Sequence, residues 1–148
     1  MPRQRGAPSL LAVFAHPDDE SISAGGVLAR HATAHARTAV VTTTWAATTQ
    51  RATELTEALR ILGAGAPRML GYADSRVPQS APGSQRFLDA PLDEAIGQLV
   101  AHIREFRPEI VVFPVKFLCS ALRGLRNYTS VALARSAAQA RGMAMPGG

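Results

Sequence analysis

Four short runs of apolar or β-branched residues along the chain predict β-strands. They lie at residues 10–15, 37–44, 67–72 and 109–113. The first is a continuous apolar run, which is typical of a strand buried on both faces of a sheet. The second, "RTAVVTTT", is rich in β-branched residues, which favour strands.

Helical patterns separate these strands. Residues 21–36 are rich in small side chains and contain no proline, which fits a helix packed closely on a sheet. In residues 51–62 and 91–107, apolar side chains recur at spacings of three and four and form one face. Gly63 and Pro108 end these two helices. Residues 130–141 predict a last helix.

The resulting order, β-α-β-α-β-loop-α-β-α, predicts an α/β fold of Rossmann type. Its sheet should be mostly parallel, with helices on both faces. No repeat or linker divides residues 1–148, so we expect a single domain. Ligands of such folds bind beyond the carboxyl ends of the strands. The loop at residues 73–90 is long enough to indicate function rather than connection alone.

Composition excludes several classes of protein. The chain is 47% hydrophobic and 18% charged, as expected of a globular domain. Cys119 is the only cysteine, so there is neither a disulfide framework nor a thiolate metal cluster. The net charge of +5 is spread over separated arginines and aromatics are only 5%, which argues against nucleic-acid binding. No apolar run approaches the ~20 residues of a membrane span, and no signal peptide is evident. We therefore expect a cytoplasmic protein.

The stretch "FAHPDDE" places His16, Asp18, Asp19 and Glu20 directly after the first predicted strand. Carboxylates are costly at the end of a buried strand unless they cap a helix, bind a cation or take part in chemistry. A Rossmann nucleotide site would need a glycine-rich turn here, and carboxylates would repel a pyrophosphate. The loop therefore disfavours a nucleotide site.

Two interpretations of this loop remain. In the first, Asp19 or Ser21 caps the following helix and Glu20 interacts with its dipole, which leaves His16 and Asp18 unexplained. In the second, His16 and Asp19 supply a nitrogen and an oxygen to a divalent cation. Asp18 is then free to take a proton from metal-bound water, an arrangement that suits hydrolysis.

Four segments carry a family resemblance: "AHPDDE", "RATELTEALRILGAGAP", "LGYADSRVP" and "SQRFLDAPLDEAIGQLVAHIREFRPEIVV". Together they resemble the LmbE-like, PIG-L family of zinc-dependent de-N-acetylases, and within it the mycothiol-pathway sugar deacetylases. The likeness covers residues 10–112. It implies a Rossmann-like α/β fold, and it implies a small-molecule substrate, an N-acetylglucosamine-type conjugate, from which an N-acetyl group is removed.

The resemblance also implies roles for five residues. His16 and Asp19 would bind Zn²⁺, and Asp18 would be the general base that returns its proton to the leaving amine. Arg51 would contact the substrate, and Asp74 would recognise a sugar hydroxyl. Taken alone, Arg51 fits a solvated helix start and Asp74 fits an Asx-turn equally well.

The sequence departs from the family after the fourth strand, where the family has a His-Pro-Asp-His motif that supplies a third zinc ligand. No histidine follows His102, and "NYTS" at residues 127–130 takes that place. His31 lies twelve residues beyond Asp19, about 18 Å along a helix, and His102 lies off the apolar stripe of its helix, which predicts a surface position. The third ligand is therefore unknown.

This departure leaves two hypotheses open for the function. Residues 113–148 are atypical, and the domain is truncated at its C-terminus relative to the family, through either divergence or a shifted coding frame near Val112. The chain is then a deacetylase with impaired activity. Alternatively, it is a catalytically inactive remnant that binds sugar or metal. The sequence does not indicate an oligomeric state.

Overall fold

The computed structural model describes residues 6–113, so the helix expected at residues 130–141 and the "NYTS" stretch lie outside the described residues. Within that range no helix is long and apolar enough to cross a membrane. The strands are β1 Leu10–Phe14, β2 Thr38–Thr44, β3 Arg68–Tyr72 and β4 Ile110–Val112. The helices are α1 Asp19–Thr33, α2 Gln50–Ile61 and α3 Leu92–Phe106, with short 3₁₀ turns at Pro78–Ser80 and Phe87–Asp89.

The four strands form one parallel sheet in the order β3-β2-β1-β4. β1 lies in the interior of the sheet, where Leu10 is opposite both Thr38 and Ile110. At the other end of β1, Phe14 is opposite Thr42, so β1 and β2 end close together. The predicted α/β fold with a mostly parallel sheet is confirmed, and the predicted ligand edge lies beyond Phe14 and Thr44.

Alternate residues of β1 face two separate cores. One face packs against α1 and α2, and the other packs against α3, which confirms the prediction of helices on both faces. The first core contains Leu10, Ala12, Phe14, Ala24, Leu28, Val40, Leu55 and Leu59. The second contains Leu11, Val13, Ala39, Val41, Leu99, Ile103 and Phe106. Burying each large side chain contributes roughly 1.5–3 kcal/mol, so the sheet holds the site edge in place.

Helix α1 begins at Asp19, two residues before the start predicted from the sequence pattern. The first turn therefore contains both Asp19 and Glu20. Negative side chains are favourable at this end of a helix because of the positive pole of its dipole. The capping interpretation is wrong for Asp19 and Ser21, because both lie inside the helix. Asp18 occupies the N-cap position but makes no capping hydrogen bond with its side chain.

We expect Gly63→Ala to destabilise the protein by about 2–3 kcal/mol. Gly63 follows α2 with φ +73°, and a Cβ there would lie 2.8 Å from Cβ of Ala32. The left-handed backbone alone costs an alanine about 1–2 kcal/mol, and the overlap adds to that cost. Urea denaturation measures the change. Gly65→Ala is the matched control, because its Cβ would come no closer than 3.8 Å to the oxygen of Thr38. Equal losses at Gly63 and Gly65 would contradict this explanation.

His102 is less exposed than the sequence pattern predicts. Its Nδ1 atom is buried and has no hydrogen-bond partner within residues 6–113. This flank of α3 is covered because α3 packs against β3, the strand that carries Arg68. Burial, together with the charge of Arg68, lowers the pKa of His102, and Glu105 partly offsets this.

The lowered pKa of His102 predicts a loss of stability in mild acid. The unfolded chain takes up a proton at this residue near its ordinary pKa of 6.5, whereas the folded chain resists protonation. The contribution is therefore complete above that pH and declines as the pH falls toward the folded pKa. His102→Gln should flatten this part of the curve. The measurement is the difference in Tm between the two proteins from pH 7.5 to 5.5, and a difference that does not change with pH would contradict the assignment.

Candidate active site

The candidate site lies at the carboxyl ends of β1, β2 and β3. The carbonyl oxygen of Ala15, one residue before His16, accepts three hydrogen bonds from the end of β2. The donors are Thr44 N–H at 3.1 Å, the Thr44 hydroxyl at 2.6 Å and the Thr43 hydroxyl at 3.2 Å. These bonds attach the start of the acidic loop to the neighbouring strand, so His16 leaves the sheet in a defined direction.

Buried carboxylates hold the acidic loop in place. Asp19 and Glu20 are 2% and 1% exposed. Asp19 Oδ2 accepts the His16 N–H at 3.0 Å, and Glu20 Oε2 accepts the Asp18 N–H at 2.9 Å. Glu20 Oε1 accepts the Ser21 hydroxyl at 2.7 Å. Asp18 has φ 148°, a value that residues other than glycine rarely adopt. The loop therefore keeps an unusual backbone at Asp18 because its neighbours fix both sides.

Both ring nitrogens of His16 face carboxylates. Nε2 lies 2.7 Å from Asp74 Oδ2, and Nδ1 lies 3.4 Å from Asp19 Oδ2. The ring also meets Trp45 edge-on, with 5.7 Å between centroids. The hydrogen bond to Asp19 raises the pKa of His16, burial opposes this, and Asp74 raises the pKa further. His16 therefore lies between two acids that come from different loops.

Asp74 is held by the loop that follows β3. Its Oδ1 atom accepts the N–H groups of Arg76 at 2.8 Å and Val77 at 3.1 Å, which is an Asx-turn arrangement. Its own N–H donates to the hydroxyl of Ser80 at 2.8 Å. The other carboxylate oxygen faces His16. The turn and the site contact are thus compatible, and the turn aims the free oxygen at the imidazole.

Arg51 reaches the same loop from the start of α2. Its Nη1 donates to Asp18 Oδ2 at 2.8 Å and lies 3.4 Å from the carbonyl oxygen of Pro17. Its guanidinium carbon lies 5.9 Å from the centre of the Trp45 ring. Asp18 and Arg51 are both about half-exposed. The fold therefore brings together all five residues singled out from the sequence, within one edge of the sheet.

The His16 and Asp19 side chains are arranged as two ligands of one ion would be. Two atoms that each lie about 2.0–2.2 Å from a tetrahedral Zn²⁺ are roughly 3.4 Å apart, the separation of His16 Nδ1 from Asp19 Oδ2. Metal-binding histidines commonly donate their other N–H to a carboxylate, as Nε2 does to Asp74. Between Gly6 and Phe113, however, no three His, Cys, Asp or Glu side chains form a group that could hold an ion. The pair fits part of a metal site.

Sequence reasoning missed two residues of this site. It assigned Glu20 no role beyond the helix dipole, whereas Glu20 accepts two hydrogen bonds that shape the loop. It also passed over Trp45, which contacts His16 and Arg51. The position of Trp45 directly after the second strand was the available signal, because ligands bind at that edge of the sheet.

Comparison with known proteins gives one consistent family. The model of the PIG-L family, GlcNAc-PI de-N-acetylase, matches residues 11–117. The chain is 45% identical to 1D-myo-inositol 2-acetamido-2-deoxy-alpha-D-glucopyranoside deacetylase of Mycobacterium leprae (strain Br4923), over 71% of this chain and 42% of that protein. It is 39% identical to the protein of the same name from Rhodococcus erythropolis, over 72% of this chain and 45% of that protein. The chain thus spans less than half the length of these curated relatives.

A solved structure shares the fold. N,N'-diacetylchitobiose deacetylase from Pyrococcus horikoshii superposes with a TM-score of 0.67 at 23% identity. The match covers 89% of this chain and 50% of that one. At this identity the likeness concerns the fold, and it agrees with the parallel sheet described above.

Proposed function

The chain belongs to the PIG-L, GlcNAc-PI de-N-acetylase, family, and from that membership we propose that it is a metal-dependent hydrolase of N-acetylated amino sugars. The reaction would remove the N-acetyl group from an N-acetylglucosamine-type conjugate, giving acetate and a free amine. The Mycobacterium leprae relative is named as a deacetylase of an inositol conjugate of this kind. The observation that carries the proposal is the pairing of His16 with Asp19, next to a half-exposed Asp18 that Arg51 holds.

The metal in this proposal is Zn²⁺, held by His16 and Asp19 together with a third ligand that the described residues do not supply. When bound, Zn²⁺ supplies Lewis acidity that polarises the amide carbonyl and makes water more acidic. Asp74 would keep the His16 ring in orientation through its 2.7 Å contact with Nε2. Its predicted contact with a sugar hydroxyl remains compatible with this role, since a carboxylate oxygen accepts more than one hydrogen bond.

Asp18 would act as the general base and then as the general acid. Its carboxylate takes one proton from water as the oxygen of that water adds to the amide carbon. The same proton then goes to the amine nitrogen as the C–N bond breaks, so the residue ends the cycle ionised. Arg51 Nη1 holds the carboxylate at 2.8 Å. A guanidinium has five N–H donors, so Arg51 can hold Asp18 and still donate to a substrate hydroxyl.

Asp74→Asn should weaken zinc binding by about 10–100-fold, the range typical of residues that orient a metal ligand. The asparagine keeps the shape of the side chain but removes the charge that faces His16. Zinc titration by calorimetry, with a competing chelator, measures the effect. Asp89→Asn is the matched control, because it removes the same charge from an exposed pair with Arg86. Equal affinities in the two variants would contradict a positioning role for Asp74.

A second function is favoured by one observation, the presence of two metal-binding side chains rather than three within residues 6–113. A catalytic zinc usually has three protein ligands. On this alternative, the chain is an inactive remnant that binds sugar or metal without turnover. It would keep the cluster of Asp18, Asp19, Arg51 and Asp74 as a binding surface.

Metal content and acetate release separate the two functions. The chain is incubated with zinc, freed of excess metal, and assayed on an N-acetylglucosamine conjugate of inositol. Stoichiometric zinc with acetate release supports the hydrolase and excludes the remnant. Zinc or sugar binding without acetate supports the remnant. Absence of zinc, sugar binding and acetate would overturn both.

A further inference from the structure

Trp45 is the aromatic residue at the candidate site. It directly follows β2, and its partly buried ring contacts the His16 ring edge-on at 5.7 Å. The Arg51 guanidinium carbon lies 5.9 Å from the centre of the indole. The other side chains assigned to the site are an imidazole, a guanidinium and carboxylates. Trp45 therefore supplies an apolar surface beside polar groups that surround it on two sides.

The backbone of Trp45 is strained. Its φ of 72° lies in the left-handed region, which a bulky side chain adopts only rarely. Its N–H donates to the Tyr72 carbonyl at 3.0 Å, and the next N–H, that of Ala46, donates to the Ser80 carbonyl at 2.9 Å. These bonds hold the conformation in place. Glycine would adopt this conformation without strain, so the presence of an indole points to a use for the ring.

We propose that Trp45 is a substrate-positioning residue whose indole stacks on the apolar C–H face of the amino-sugar ring. This inference rests on the proposed function. A pyranose has hydroxyls around its edge and C–H groups on its faces, so a sugar site needs both polar partners and an aromatic surface. Arg51 and Asp74 lie close enough to receive the hydroxyl edge, and Trp45 receives the face. Indole is well suited to this contact because it buries a large area with little loss of conformational freedom.

The first experiment uses the fluorescence of the protein itself. Trp45 is the only tryptophan in the sequence, so its emission reports on this ring alone. The full chain is titrated with methyl α-N-acetylglucosaminide while heat and emission are recorded. We expect a saturable change in emission with the same midpoint as the heat of binding. Binding heat with constant emission would overturn the stacking contact and leave the proposed function standing.

Two substitutions distinguish stacking from a structural role. Trp45→Phe keeps an aromatic face, so the Kd and KM for the sugar should change less than threefold. Trp45→Gly should raise both about tenfold, with a smaller effect on kcat, since a lost aromatic contact weakens binding by that order. It should not lower the urea midpoint, because glycine accepts the positive φ.

Each other outcome overturns the inference. A Trp45→Gly variant that loses stability but keeps its affinity for sugar would show that the ring is structural, while acetate release by the parent chain would still support the hydrolase. A parent chain that neither binds the sugar nor releases acetate would overturn both the inference and the proposed function.

Discussion

Replacing Asp18 by asparagine is expected to lower the rate of acetate release by about 10²–10⁴-fold while the bound zinc stays in place. Asparagine has the size of aspartate but does not accept a proton from water. It also does not return a proton to the leaving amine, so both proton transfers of the proposed reaction are lost. Because the Asp18 side chain is half-exposed, its ion pair with Arg51 contributes at most about 1 kcal/mol to folding, and the variant should fold.

The measurement for Asp18 combines kcat, KM and metal content. The loss should fall mainly on kcat, since the substitution removes a group that acts in the transition state. Glu57→Gln is the matched control, because it removes the same charge from an exposed ion pair with Arg60 on α2. That variant should retain the full rate. A rate within threefold of the parent chain for Asp18→Asn would show that another group carries the proton.

Replacing Glu20 by alanine is expected to destabilise the protein by about 2–4 kcal/mol. Glu20 is 1% exposed and accepts hydrogen bonds from the Asp18 N–H and the Ser21 hydroxyl. The alanine leaves both donors without this acceptor and leaves a cavity under the first turn of α1. The Asp18 backbone, with φ 148°, would lose the contact that restrains it. Zinc affinity should therefore fall together with stability.

Urea denaturation and zinc titration test the role of Glu20. Glu20→Gln keeps the volume and one acceptor oxygen, so about half of the stability should remain recoverable in that variant. Glu54→Ala provides the matched control, because Glu54 is exposed on α2 and its loss should change stability by no more than about 0.5 kcal/mol. If Glu20→Ala resembled Glu54→Ala, the buried contacts of Glu20 would have no energetic importance.

The fold was predictable because its signals are local. A strand buried on both faces requires a short apolar run, and a helix on a sheet requires apolar positions three and four residues apart. Both patterns stand in the printed sequence, and the order of elements then limits the connections to a parallel sheet. The start of α1 was placed two residues late, because Asp19 and Glu20 suit the first turn of a helix as well as the loop before it.

The candidate site was predictable only in part. The loop from His16 to Glu20 is contiguous, so its chemistry is visible in the sequence. The family resemblance added Arg51 and Asp74, and their proposed roles toward substrate remain predictions. The structure adds what each side chain touches: Arg51 holds Asp18, and Asp74 faces His16.

The sequence by itself determined the order of strands and helices, the edge of the sheet where ligands bind, and the acidic loop at that edge. These follow from residue periodicity and from the order of elements along one chain. Only the tertiary structure decided that Asp74 faces His16 across 58 residues, that Trp45 lies beside both His16 and Arg51, and that Glu20 is buried beneath Asp18. The physical reason is that these contacts depend on the register of neighbouring strands and on the direction of each side chain, which no local pattern specifies.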